Sequence, residues 1–315
     1  MSRLISFLVL IIGLILSGSI LGADFVKYET PTDAAINKVF FTNDRHGVAV
    51  TSKGELMHTS NSGKTWKSKE LTKRAIRDIH IIGRNGYLAG DKGLLMKSTD
   101  GGYTWRDVSL DLKFNFSGVG IINDSSIVVC GTNQNSMSKA QGVMFISYDY
   151  GKNWKKQKHW GNGYTDVKTI PTFRVYVLAI KKALHSVSGG LHFFNGKYEG
   201  SRLCLGFDFM NDWGFMVGYD GYFARSTDHG RNWEEVPIDI TKTLYAVEMF
   251  DKFSGIAVGQ DGLIVTFSGS GDRYTVEQCG ETIDLKTVEV TDNMIFCAGL
   301  KGSFFALERF PKAKN

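Results

Sequence analysis

The chain is written in short apolar runs rather than in long amphipathic stretches. Between residues 76 and 110, "IRDIHII", "GYLAG", "LLMKS" and "WRDVSL" follow one another, broken by Gly, Asn, Asp and Lys. Runs of this length, bounded by turn residues and rich in branched and aromatic side chains, predict β-strands. The middle of this window, "GYLAGDKGLLMKS", has counterparts along the chain. They read "GVAVTSKGELMHT" from Gly47, "GFMVGYDGYFARS" from Gly214 and "GIAVGQDGLIVTF" from Gly255. Looser versions are "IVVCGT" with "GVMFIS" in a third unit and "VYVLAIKKALHS" in a fourth. "IFCAGLKGSFFAL", Ile295 to Leu307, makes a seventh.

Between the third and fourth strands sits an eight-residue turn. It reads "TSNSGKTW" ending at Trp66, "STDGGYTW" at Trp105, "SYDYGKNW" at Trp154 and "STDHGRNW" at Trp233. The fixed Gly63, Gly102, Gly151 and Gly230 predict a positive φ at that position. Asn61, Asp100, Asp149 and Asp228 stand two residues earlier, where an Asx side chain accepts hydrogen bonds from the turn backbone. Each Trp opens the next strand and buries a large ring. Turn chemistry therefore accounts for the acidic residues. One carboxylate per distant turn assembles no ligand cluster.

Successive turn glycines are 39, 49 and 79 residues apart, the last about twice the first. A degraded copy fills the gap: "SVSGGLHF", Ser186 to Phe193, keeps Gly190. Another, "FSGSGDRY", places Gly271 with Tyr274 at the Trp position. A period near 40 residues marks a propeller or solenoid array. The seventh unit has three strands, and "FVKYE", Phe25 to Glu29, supplies the fourth. The expected fold is all-β, one seven-bladed propeller over residues 24–315, with the ring closed by the N-terminal strand; six blades is the alternative. Closure of this kind protects sheet edges.

The turn resembles the Asp-box, or bacterial neuraminidase repeat, of sialidase-type propellers, where it is structural. The whole unit, an Asn-Asp turn, "GxAVGxxGxI"-like strands and the box, resembles the photosystem II stability/assembly factor family over Asp24 to Phe310. That resemblance implies an exported, non-enzymatic seven-bladed scaffold. In photosynthetic organisms such proteins bind newly made membrane-protein subunits, and relatives with the same repeats occur in other bacteria. The family's photosynthetic members carry an arginine-rich patch; here the matching turns carry lysines. Sialidase chemistry is not carried over. No Phe/Tyr-Arg-Ile-Pro motif precedes Thr59, and the partial match "FRVY" at Phe173 lies mid-chain. Two facing active-site groups, as a retaining glycosidase needs, cannot be placed. Xyloglucanases also carry Asp-boxes but work in a cleft between two propellers. Glycan binding or hydrolysis is the alternative function.

Composition changes this picture little. The 315 residues include 36 Gly and 4 Pro, with 12% aromatics, a folded β-leaning balance. The formal net charge is +5, or +4 without Arg3, too mild to imply nucleic-acid binding. Arg3 followed by the apolar run Leu4 to Leu16 and "SGSILGA" reads as a signal peptide over residues 1–23. An uncleaved anchor is the alternative. Export places the chain in the periplasm or outside the cell, or in a lumen if the source is photosynthetic. No Cys directly follows the apolar run, so no lipoprotein is expected. Cys130, Cys204, Cys279 and Cys297 have strand-like flanks and are expected as buried free thiols, with a disulfide as the alternative. Neither a cofactor nor a metal is expected, since no CxxC, HExxH or paired-His spacing occurs.

Binding is expected on the face that carries the turns between second and third strands. Lys53, Lys92, Lys181, Lys182 and Lys301 lie in these turns. Together they predict a basic ring around one channel mouth, suited to an acidic partner. The long insertion Thr132 to Gln141 and the connection holding Trp160 and Tyr164 lie on the same face. Trp160 and Tyr164 either anchor a protein partner or fill the gap between blades.

Overall fold

The computed structural model describes residues 25–111, 113–133, 141–157, 163–170, 173–179, 182–198 and 202–309. They form seven antiparallel sheets in chain order around a ring. The innermost strands are Ile36–Phe41, Ile76–Ile82, Phe114–Ile121, Tyr164–Ile170, Cys204–Met210, Leu244–Asp251 and Leu285–Val290, for blades 1 to 7. Each blade then steps outward strand by strand. In blade 2 the order is Ile76–Ile82, Asn85–Gly90, Leu95–Ser98 and Arg106–Asp107.

Blade 7 has three of its own strands, Leu285–Val290, Met294–Gly299 and Phe304–Glu308. Val26–Lys27 adds the fourth by pairing with Ala306 and Phe305. The ring is thus closed by the N-terminal strand, as the missing strand in the sequence implies. Across the closure, Phe41 of blade 1 stacks on Phe296 of blade 7 at 3.6 Å and 7°. Blade 5 holds one strand that the repeat does not announce. Lys197–Tyr198, on the connection leaving blade 4, lies parallel to Asn232–Glu235 and caps its outer edge. Two other outer strands, Lys67–Glu70 and Lys155–Lys156, are short, charged and exposed throughout. Charge on an edge opposes pairing with another chain.

Apolar packing is divided between blades. Ile36, Met57 and Trp66 of blade 1 pack with Phe296 and Phe304 of blade 7. Equivalent clusters join each neighbouring pair around the ring. All four cysteines are buried and free. The residues expected as a signal peptide, 1–23, lie outside the described residues.

The boxes adopt the expected turn. In the second, Ser98 Oγ accepts from the Gly102 N–H at 2.8 Å and Asp100 Oδ1 from the Thr104 N–H at 2.9 Å. Gly151, Gly230 and Gly63 donate in the same way to Ser147, Ser226 and Thr59, while Asp149, Asp228 and Asn61 hold the following backbone N–H groups. Trp105 and Trp154 close the turn by donating Nε1–H to the Gly102 and Gly151 carbonyls. Trp66 and Trp233 are buried against the preceding blade's aromatics and their own. Gly63 has φ +76°, and a Cβ there would stand 2.2 Å from the Phe304 ring of blade 7. The glycine therefore serves both the turn and the blade interface.

Candidate functional site

Every innermost strand carries a register shift near its start, at the second residue in six blades and at the fourth in blade 3, the same bulge repeated seven times. A bulge bends the strand and re-aims one side chain. Here the re-aimed residues are Asn37, Arg77, Ser117, Thr165, Leu205, Tyr245 and Lys286, one per blade, and all line one cavity of about 470 Å³. This is the mouth of the channel on the side of the second-to-third-strand turns. Backbone bonds fix that placement: the Ser52, Asp91, Gln260 and Leu300 N–H groups donate to carbonyls just before the inner strands of their own blades.

Turn tips surround this mouth. Lys92 and Lys301 are exposed, with φ of +54° and +52°, at matching positions in blades 2 and 7. Lys53 stands at the blade 1 turn and pairs with Asp33 at 2.5 Å. Both partners are largely solvated, so this pair holds little energy. Lys182 of blade 4 is exposed at the start of its strand. Arg77 at the mouth makes a bidentate pair with Asp91 at 3.0 Å. Lys286 sits 3.2 Å above the Tyr245 ring and bonds Asp284.

The expected basic ring is not continuous. Asp220 and Asp261 occupy in blades 5 and 6 the tip position that Lys92 and Lys301 occupy in blades 2 and 7. Cationic tips form an arc over blades 7, 1 and 2, and Lys182 adds one on blade 4. Of the two roles open to Tyr164, partner anchor or filler between blades, its burial fits the second. Tyr164 is 2% exposed and packs with Cys130 and Met144 of blade 3, where a Cβ on Gly142 would touch its ring at 2.8 Å. It fills the gap between blades 3 and 4 and offers no ring to a partner. Trp160 and Lys181 lie outside the described residues, as does most of the Thr132–Gln141 insertion.

Deeper in the channel is a charged cluster that the repeat analysis did not reach. Lys38, Asp78 and Asp166 stand one residue past the bulge in blades 1, 2 and 4. His80, Lys168, Asp208, Glu248 and Glu289 stand two residues further along their strands. Lys168 Nζ bridges Glu248 at 2.7 Å and Asp208 at 3.2 Å. Several members also clamp the next blade. The Asp78, Asp208 and Glu289 carboxylates accept from the Val119, Met249 and Phe41 N–H groups. His80 Nδ1 accepts from the Ile121 N–H at 3.1 Å, which requires a neutral imidazole. Burial, with Lys168 and Lys38 nearby, lowers its pKa to about 4.

Five carboxylates face two lysines here, and proton affinities follow. Burial pushes Asp166 up to about 6 and Glu248 up to about 8, with Asp208 adding to the latter. Asp78 and Glu289 are also raised by burial. Burial alone would lower Lys38 and Lys168, but the surrounding carboxylates outweigh it and raise both. The cluster relieves its excess negative charge by retaining protons. Among the described residues, no group of three or more His, Cys, Asp or Glu side chains is arranged to hold a metal ion.

The family described as Photosynthesis system II assembly factor YCF48 matches residues 21–168, a little under half of the chain. No curated protein matches. Among solved structures, "YCF48 bound to D1 peptide" is similar with a TM-score of 0.72 at 20% identity, covering 90% of this chain and 94% of that one. YCF48 from Cyanidioschyzon merolae is similar with a TM-score of 0.74 at 15% identity, covering 91% and 99%. The WD40 β-propeller domain of Doa1 is similar with a TM-score of 0.70 at 10% identity, covering 92% and 97%. With seven blades, repeated box turns and a match to this family over its first half, the chain is a β-propeller resembling the photosystem II assembly factors.

Proposed function

We propose that this protein is a non-enzymatic scaffold that binds a segment of a protein partner at the channel mouth on the face of the second-to-third-strand turns. One observation carries the reading: exposed Lys92 and Lys301 flank a cavity that all seven blades line with one re-aimed side chain each. Neither lysine is paired with an acid among the described residues. Two such lysines beside a concave mouth favour an acidic segment or a free carboxyl terminus. The similarity to a YCF48 structure bound to a D1 peptide supports a peptide ligand of this kind. The proposed partner is a subunit of a membrane complex, met outside the cytoplasm, and the protein acts by holding it rather than by changing it.

The test is crosslinked capture from the native envelope, using the wild type and the Lys92→Glu/Lys301→Glu variant. The wild type should retain a defined membrane-complex subunit, and the variant should lose it with its thermal midpoint unchanged. Retention of the same partner by the variant would refute the basic-arc site. Capture of glycan without protein would refute the scaffold reading itself.

A further inference from the structure

The opposite face carries the boxes and the turns between first and second strands, and it is not uniform around the ring. Each box is tied to the first turn of its own blade by a backbone bond: Gly101 N–H to Arg84, Tyr150 to Ser125 and Gly189 to Phe173. In blades 2 to 4 these paired turns expose large apolar side chains. Tyr103 is 76% exposed, Leu191 57%, Phe173 56% and Tyr150 50%, with Phe194 of the adjoining outer strand 55%; outside these blades, Phe253 of blade 6 is 47% exposed but packs edge-on against Trp213 at 5.0 Å. The sixth box position shows the contrast. It is Tyr103 in blade 2 and Leu191 in blade 4, with Lys152 between them in blade 3, but Lys64, Arg231 and Asp272 in blades 1, 5 and 6; blade 3 exposes its ring two residues earlier, at the fourth position, Tyr150.

Phe173 adds a second, independent sign. Its backbone is left-handed, φ +60°, in a turn where blade 2 has Gly83 at +57° and blade 5 has Asn211 at +59°. Gly and Asn suit that conformation, and a bulky aromatic does not. Strain of this sort held at an exposed position points to a contact made there. Basic side chains lie in and beside these turns. Arg84 of blade 2 and Lys152 of blade 3 are exposed, Arg231 of blade 5 is exposed on a cavity it shares with Phe194 of blade 4, and none of the three forms an ion pair among the described residues. The acids Asp100 and Asp149 are consumed inside their boxes, leaving Asp124 exposed.

We propose that the box face of blades 2 to 4 docks on an anionic phospholipid surface. Aromatic and aliphatic tips would enter the headgroup–acyl boundary while Arg84, Lys152 and Arg231 meet the phosphates. Charge complementarity favours this occupant over an apolar groove of another protein, because the cations are interleaved with the apolar tips and carry no partners. Such docking would leave the mouth on the far side facing away from the membrane and open to a partner.

Hydrogen–deuterium exchange on the full chain reads this directly. The probes are phosphatidylcholine vesicles with and without phosphatidylglycerol. With phosphatidylglycerol, residues 98–105 and 186–194 should exchange several-fold more slowly, while residues 260–262 and 300–302 should not change. The Phe173→Asn/Leu191→Lys variant should lose that protection. Asn suits the positive φ, so the variant should keep its thermal midpoint. Lys92→Glu/Lys301→Glu should protect like the wild type, which separates this face from the mouth. No protection, equal protection of both faces, or protection that survives in the Phe173→Asn/Leu191→Lys variant would overturn the proposal. Equal protection by phosphatidylcholine alone would overturn the requirement for an anionic surface.

Discussion

Asp166→Asn tests the charged channel most cleanly. The Asp166 carboxyl is held in the channel wall with no lysine in contact. Its Oδ1 accepts from the Val167 N–H at 2.7 Å, a bond that an Asn Oδ1 would keep. Burial pushes this group up to about 6 from an ordinary 3.8, with Asp78 adding to the rise while Lys38 and Lys168 oppose it. The folded chain therefore binds this proton where the unfolded chain has released it. Stability must then fall as pH rises from about 4 to about 6, and level off above. At about 1.4 kcal/mol for each pH unit, the ionised carboxylate costs the fold about 3 kcal/mol at pH 8. Asn carries the same shape without the charge. In urea melts, wild type and variant should coincide near pH 4 and separate progressively, with the variant more stable by up to about 3 kcal/mol above pH 7. The sign is opposite to that of a salt-bridged aspartate. A difference that does not vary with pH, or a variant less stable at pH 8, would refute the account of an uncompensated buried carboxylate.

Two further outcomes concern the frame that carries the sites. Gly63→Ala should destabilise by about 2–5 kcal/mol, from a left-handed backbone and a Cβ driven into Phe304. Gly83→Ala, with φ +57° and nothing within 4 Å of its Cβ, should lose only about 1–2 kcal/mol; equal losses in thermal melts would mean that the box does not pack on blade 7. Cys130, Cys204, Cys279 and Cys297 should be silent to a thiol reagent in the native protein and titrate as four thiols in guanidinium without reductant. Fewer than four would reveal a disulfide.

Much of the frame could be read from the chain because each of its signals is local and repeated. The box states its own hydrogen bonds in eight residues. The seven strand-turn-strand units state the blade count, and the three-strand seventh unit states where Val26–Lys27 must go. The parallel strand Lys197–Tyr198 carries no such signal, because it occurs once and pairs across a blade boundary. The mouth was partly legible. The Lys tips of "GDKG" and "GLKG" and the Asp tips of "GYDG" and "GQDG" occupy one position in the repeat, and lining up both sets shows an arc. Tyr164 follows the same logic. It takes the inner-strand position held by Ile36, Ile76, Leu244 and Leu285 in other blades, all buried, so repeat alignment assigns it to the core.

The channel cluster was harder to see for a physical reason. In a lone strand such as "IRDIHII", alternating polar residues look like a solvated face, and one Asp per 40 residues has no neighbour of interest. Closure of the ring turns seven such faces inward on one axis. Charges from blades far apart in sequence, Lys168 with Asp208 and Glu248, then come within 2.7–3.2 Å. Their proton affinities are therefore properties of the closed ring rather than of any blade. Because those carboxylates also hold backbone N–H groups of the next blade, the state of the channel and the register between blades are coupled. A partner segment that carries charge to the mouth would act on the same network that sets the spacing of the turns around it.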